Sequence, residues 1–276
     1  MVSIHMVSQR EIENRIEGPE QGRVIFERNG DLGLVRLSRP KALNTITPSM
    51  MEELGTIVDA AAEEKTLKGI IISGEGGHFA AGIDVTLILN ADAGSIRRAA
   101  DKGRDVLNRV AGMPIPVVAA IEGSCIGGGF ELALACHMRF AHHEATFALP
   151  EVKLGLIPGF GGTQRLPRLV GMADALGLIL SGEKIKATHA ARIGIVDRLC
   201  DGNPVEEAVD FMSTIANGSP LALRAAFRAI KDGVRLSLED GLALEGQVFG
   251  EIIDSTDLLE GVKAFMEKRS PNFKGK

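Results

Sequence analysis

Glu131 interrupts an apolar run, CIGGGFELALAC (125–136), and lies three residues past Gly128 in a row of three glycines. A second carboxylate, Glu151, follows twenty residues later in ALPEVKLGLIPGFGGTQR, after a proline and ahead of another glycine loop. Glycine between a strand and a helix lets backbone N–H groups point outward, and a helix N-terminus carries partial positive charge. Such a site suits an anionic oxygen, either a phosphate or a developing oxyanion. The phosphate motifs fail. No glycine segment ends in Gly-Lys-Ser/Thr, GGGFEL lacks the third glycine of a dinucleotide loop, and Ser124 is not flanked as a nucleophile elbow requires. Of the two anion sites an oxyanion hole fits better, while for GGG taken by itself the favoured reading is that the glycines only allow tight helix-to-strand packing. Glu131 has the same two readings, a general acid–base group in a dry site or a glutamate that caps its helix. Desolvation by Phe130, Leu132, Ala133 and Leu134 pulls its pKa up while the helix N-terminus pulls it down. His137, His142 and His143 with Cys136 lack a zinc spacing, and adjacent histidines on a strand face opposite ways, so no metal site is expected.

The elements that must hold these groups are legible in outline. VIFERNGDLGLVRLS (24–38) predicts a hairpin whose two runs flank Asn29-Gly30-Asp31, with Asn-Gly as the turn signal. Thr47 before Pro48 predicts an N-cap and a helix to about Glu64. LKGIIIS (67–73) and PIPVVAAIEG read as buried strands, with a glycine loop GEGGHFAAGID (74–84) and a charged helix over 95–112 between them. Extended segments follow in MRFAHHEATFALPE, then a loop and helix in PGFGGTQRLPRLVG. Strand, glycine loop and helix recur over 67–172, the pattern of an α/β fold, without repetition in the letters. Past residue 203 strand signals stop and amphipathic helices succeed one another, with Ser237 and Ser255 as caps. Three sections result: a polar tail (1–22), a core (23–203), and a helical section (204–276) that packs on the core or on another subunit.

Composition narrows the function classes. The 276 residues are 45% hydrophobic, enough for a sizeable core, and with neither Trp nor Tyr and only 11 Phe that core is aliphatic. The net charge of −5 disfavours nucleic acid as a partner. The basic stretch SIRRAADKGRDVLNR (95–109) is interleaved with Asp101 and Asp105 and reads as a solvated helix face. Three cysteines without a CxxC pair indicate reduced thiols and a cytoplasmic location. No apolar run is long enough for a membrane span, and the first residues lack a signal-peptide pattern.

With these segments together, the sequence resembles the crotonase (enoyl-CoA hydratase/isomerase) superfamily over residues 23–276, and within it the short-chain enoyl-CoA hydratases. The resemblance rests on RPKALNTITPSMM, GEGGHFAAGID, PVVAAIEGSCIGGGFELALAC, FALPEVKLGLIPGFGGTQRLPRLVG and the terminal EGVKAFMEKRSPNFKGK. It implies a spiral of ββα units with a helical C-terminal section used for trimerisation, and a homotrimer or a hexamer of two stacked trimers. It implies that the N–H groups of Ile83 and Gly128 form an oxyanion hole for an acyl-CoA thioester. It implies substrate contacts around Ala42, Ala81, Gly82, Asp84, Gly127, Pro150 and Gly159, the first four along the CoA path. It implies that Glu131 and Glu151 hold a water that adds to a trans-2-enoyl-CoA, giving 3-hydroxyacyl-CoA, with coenzyme A as part of the substrate and no cofactor or metal. Two departures stand out: His137 replaces a frequent Asp, and Ile83 stands where hydratases often have Ala. The paired glutamates favour hydration over a Δ3–Δ2 enoyl-CoA isomerase, which needs one carboxylate, over other acyl-CoA lyases or hydrolases, and over the RNA-binding homologues.

Overall fold

The computed structural model describes residues 22–84, 89 and 91–276. The expected polar tail lies outside these residues apart from Gly22. A hairpin of β1 (Arg23–Asn29) and β2 (Leu32–Ser38) opens the chain. Asn29 pairs with Leu32, so the turn residues are Gly30 and Asp31, with φ +59° at Gly30. Helix α1 (Pro48–Glu63) follows, capped by Thr47, whose hydroxyl accepts from Met50 N at 3.2 Å. Then come β3 (Gly69–Gly74), β4 (Ala80–Ala81), α2 (Ala93–Gly112), β5 (Val117–Ile121), β6 (Ser124–Ile126), α3 (Gly128–Ala135), β7 (Met138–His142) and β8 (Thr146–Ala148). Helices α4 (Gly162–Val170) and α5 (Met172–Ser181), strand β9 (Ile185–Lys186), α6 (Ala187–Arg192) and β10 (Arg198–Cys200) complete the front part. The helical end comprises α7 (Pro204–Ala216), α8 (Pro220–Gly233), α9 (Leu238–Gly250) and α10 (Thr256–Met266). Ser237 and Ser255 cap α9 and α10 as expected.

The repeat invisible in the letters is geometric. Two sheets run β1-β2-β3-β5-β7-β10 and β4-β6-β8-β9. The chain alternates between them: β3 to β4, then α2; β5 to β6, then α3; β7 to β8, then on toward α4. Each turn of this spiral gives one long strand to the large sheet and one short strand to the small one. The short strands have two or three residues, too few for any periodic signal. This is why GEGGHFAAGID reads as a loop although it contains β4.

Both faces of the large sheet are buried, as uninterrupted apolar strands require. Ile70, Ile72, Val117, Ala119 and Ile121 join the main core with Met50, Leu54, Leu107, Phe130 and Phe147. The alternate residues Ile71, Val118 and Ala120 face Ala208 and Met212 of α7. The first helix of the C-terminal section thus seals the back of the sheet. Helices α8 to α10 instead leave Ile230, Phe249, Leu259, Phe265 and Met266 exposed, as is Val234 just after α8. Buried Asp257 fastens the chain end, accepting from Ser219 Oγ (2.7 Å), Lys274 N (2.7 Å) and Gly275 N (3.0 Å).

The histidines differ from expectation in one respect. His142 ends β7 and His143 is already in the following turn, so their rings stack at 4.3 Å instead of pointing apart. His137 is tied elsewhere, its Nδ1 accepting from Val117 N at 2.9 Å, and burial pushes its pKa down to about 4. No helix among the described residues is long and apolar enough to cross a membrane.

Candidate active site

Three neighbouring strands of the small sheet place the chemistry. Strands β4, β6 and β8 run parallel, with Ala81 opposite Ile126 and Ile126 opposite Ala148. Their carboxyl ends therefore lie side by side. Two residues past β4 comes Ile83, two past β6 comes Gly128, and three past β8 comes Glu151. The close approach is tight at Gly128, where a Cβ would stand 2.7 Å from Ile83 Cγ2.

Both backbone amides are free to donate. Ile83 forms a parallel bridge with Ile46 in which Ile46 N donates to Gly82 O (2.9 Å) and Asp84 N donates to Ile46 O (3.2 Å). In that pattern the bridged residue's own N–H faces the other way. Gly128 is the first residue of α3, where no intrahelical acceptor exists. Among the described residues neither N–H has a protein acceptor. The loop behind Ile83 is held by Asn44, fully buried, whose Nδ2 donates to Glu75 O (2.8 Å) and His78 O (2.7 Å). Leu43 O accepts from Ala81 N, which ties the short helical turn Pro40–Ala42 to β4. Ala42 thus sits beside the site.

Glu131 occupies the first turn of α3, a helix buried on every side, and is itself 2% exposed. Its Oε1 accepts from Phe160 N at 2.7 Å and Gly162 N at 2.8 Å. Burial pushes its pKa up to about 7, the Gly162 N–H pulls it back, and the Glu151 charge adds to the rise. Glu151 opens the turn Glu151–Leu154 after Pro150, and burial raises its pKa too. Its Oε2 is buried and has no partner among the described residues. Gly127 joins the two carboxylates. Its carbonyl accepts from Glu131 N (2.9 Å), and a Cβ on it would stand 3.0 Å from Glu151 Oε1. The backbone there has φ +52°, and Gly82, at φ +105°, packs against it.

The structure thus gathers Ile83, Gly128, Glu131 and Glu151, with Gly82 and Gly127 between them. Pro150 leads into Glu151, and Ala81 ends β4. Asp84 is committed to an ion pair, accepting from Arg39 Nη1 at 3.1 Å. Gly159 begins the loop whose next residues hold Glu131. The amides of Phe160 and Gly162 escaped the sequence reading, because a backbone donor carries no residue signature. PGFGG was the available signal, a glycine-dense loop at a helix start. The ring of Phe160 also packs over Gly103 and Gly128. The basic stretch of α2 is engaged internally: Arg98 with Ser95, Lys102 with Glu52, Arg104 with Asp101, and Arg109 with Asp59.

Two backbone amides without a protein acceptor among the described residues, beside a buried carboxylate and a half-buried one, make up the candidate site. Comparison with known proteins places the chain in a family. The profile of the enoyl-CoA hydratase/isomerase family matches residues 27–276. The chain belongs to that family and has the crotonase fold; it is an enzyme, and its relatives place it among the hydro-lyases. It is 39% identical over 250 residues to a probable enoyl-CoA hydratase of Bacillus subtilis, covering 88% of this chain and 95% of that one. It is 35% identical over 252 residues to the short-chain-enoyl-CoA hydratase of Clostridium acetobutylicum, covering 91% and 97%. The crystal structure of an enoyl-CoA hydratase from Bacillus anthracis superposes with TM-score 0.88 at 36% identity, covering 92% of this chain and all of that one.

Proposed function

We propose that the protein hydrates trans-2-enoyl-CoA thioesters to 3-hydroxyacyl-CoA. The observation that carries this reading is the buried, unpartnered Oε2 of Glu151 beside Glu131, whose own Oε1 is already filled by two amides. That leaves at least one oxygen on each carboxylate without a protein partner among the described residues, enough to hold a water between them.

The thioester oxygen accepts from the N–H groups of Ile83 and Gly128. As the water oxygen bonds to C3, negative charge grows on the thioester oxygen, and the fixed donors stabilise it more than the ground state. Glu131 takes a proton from the water and Glu151 delivers one to C2. Both carboxyls are raised by burial, so the pair readily retains the one proton this exchange needs. Every charge and proton is accounted for by the two amides, two carboxylates and water, so the cycle uses neither metal nor redox cofactor. Ala42, Ala81, Gly82 and Asp84 would line the CoA path, with Gly127, Pro150 and Gly159 around the acyl end. The exposed apolar residues of α8 to α10 support assembly as a homotrimer or a hexamer, and the free cysteines support a cytoplasmic location.

The test is loss of the conjugated-thioester absorbance with a ladder of 2-enoyl-CoA lengths. Glu131→Gln and Glu151→Gln should each lower kcat by about 100- to 10,000-fold with acyl-CoA binding retained. Wild-type turnover in either variant would overturn the reading. Conversion of a 3-enoyl-CoA without hydration of the 2-enoyl isomer would make the protein an isomerase.

A further inference from the structure

The loop that holds Glu131 is itself held by two arginines from different helices. Arg104 of α2 donates from Nη1 to Gly159 O at 2.9 Å. That carbonyl belongs to the same peptide as Phe160 N, which donates to Glu131 Oε1 at 2.7 Å. Arg165 of α4 folds back and donates from Nη1 to Phe160 O at 2.7 Å, while its Nη2 donates to Asn108 Oδ1 of α2 at 2.7 Å. The Phe160–Gly161 peptide it grips lies between the two peptides whose N–H groups meet Glu131. Gly161 has φ +110°, and a Cβ there would stand 2.3 Å from Arg165 Nη1, so this glycine lets the guanidinium close over the loop.

We infer that Arg104 is a positioning residue that favours ionised Glu131 through the Gly159–Phe160 peptide, with Arg165 bracing the intervening Phe160–Gly161 peptide. A guanidinium on a peptide carbonyl polarises that peptide, and its N–H becomes a stronger donor to the carboxylate beyond. For Arg104 the chain guanidinium, peptide, carboxylate carries positive charge toward Glu131 without a direct ion pair, while Arg165 acts on Glu131 through space. The charged and titratable groups around the relay are few. Glu151 faces Glu131 from the end of β8 and raises its pKa, while Arg165 lowers it. Arg235 and Cys136 face Arg165, and Asp101 pairs with Arg104. Arg104 belongs to the basic stretch that reads in sequence as a solvated helix face, and this contact gives it a different use.

The inference deepens the proposed function and rests on Glu131 being the base, so the experiment reads the carboxyl separately from turnover. Glu131 is titrated by infrared difference spectroscopy in the full chain, its carboxyl band assigned by disappearance in Glu131→Gln. Arg104→Gln should raise the midpoint by about half a pH unit, and Arg104→Gln with Arg165→Gln by about one. The acid limb of kcat/KM for 2-enoyl-CoA hydration should move equally. For Arg104→Gln that is a loss of about threefold at pH 6, recovered at pH 9. A loss of the same size at every pH, with an unmoved infrared midpoint, would show that the arginines only brace the loop. An unchanged profile would overturn the inference as well. Arg104 is half-exposed, so Arg104→Gln carries the test even if Arg165→Gln fails to fold. If the wild-type protein hydrates nothing, the infrared midpoints still decide the role of the arginines while the proposed function falls.

Discussion

Replacing Glu131 by Gln should make the protein more stable at alkaline pH and much less active. The side chain is 2% exposed and its carboxyl is raised from 4.5 to about 7, chiefly by desolvation. In the unfolded chain the group ionises near its ordinary value, so the folded state binds this proton more tightly than the unfolded state does. Below pH 4.5 both states are protonated and no penalty exists. As pH rises the unfolded state gains by ionising first, and above about 7 the folded state carries the whole cost. From these two values the cost is about 0.8 kcal/mol at pH 5 and about 3 kcal/mol at pH 8. Glutamine keeps an oxygen for Phe160 N and Gly162 N and has no charge to desolvate. Its neutral hydrogen bonds are weaker by an amount that does not vary with pH, so the pH-dependent part isolates the carboxyl. Urea unfolding of wild type and variant at one protein concentration, from pH 5 to pH 8, should show the difference shifting by about 2.5 kcal/mol in the variant's favour. Titrating groups other than Glu151, whose charge couples to that of Glu131, are common to both proteins and cancel. A stability difference that stays flat across this range would refute the claim that burial, and not the two amides, dominates the environment of Glu131.

Other perturbations test the rest of the site and its support. Gly127→Ala places a side chain at φ +52°, with its Cβ 3.0 Å from Glu151 Oε1. It should cost about 1–2 kcal/mol in a urea titration and displace Glu151, lowering kcat by about tenfold or more; undisturbed kcat would contradict the placement of Glu151. Arg139 is buried and donates to Ile195 O (2.7 Å), Cys136 O (2.7 Å) and Asp197 Oδ2 (2.9 Å). Arg139→Leu should destabilise by about 3–5 kcal/mol in the same assay, because it leaves those acceptors unmet. Cys125, Cys136 and Cys200 are all buried, and burial pushes the Cys136 thiol up to about 12. A disulfide exchange reagent at pH 8 should react within minutes only after denaturation.

Much of the fold was readable because its cues are local. The hairpin at Gly30-Asp31, the Thr47 cap, the buried strands of the large sheet and the caps Ser237 and Ser255 each depend on residues within a few positions of one another. The split of residues 204–233 into α7 and α8 is a boundary not drawn from the sequence, although Ser219, which accepts from Ala222 N, and Pro220, which starts the second helix, are local cues for it. The short strands were not readable. Ala80–Ala81 has no periodicity, and it is extended only because β6 pairs with it. The stacking of His142 on His143 likewise depends on where β7 ends.

Residue types alone marked Glu131 and the glycines at the strand-to-helix junctions as candidates, because a carboxylate in an apolar helix and a gap in side chains are both visible in letters; Glu151 joined them only through the family resemblance. Sequence could not decide what the carboxylates face. Ile83, Gly128 and Glu151 are separated by 45 and 23 positions, and they meet only because three strands too short to be recognised lie parallel in one sheet. The charge state of Glu131 was also a tertiary decision. The helix N-terminus is close in sequence, but the burial that outweighs it and the amides that oppose that burial come from α3 packing against the 159–162 loop.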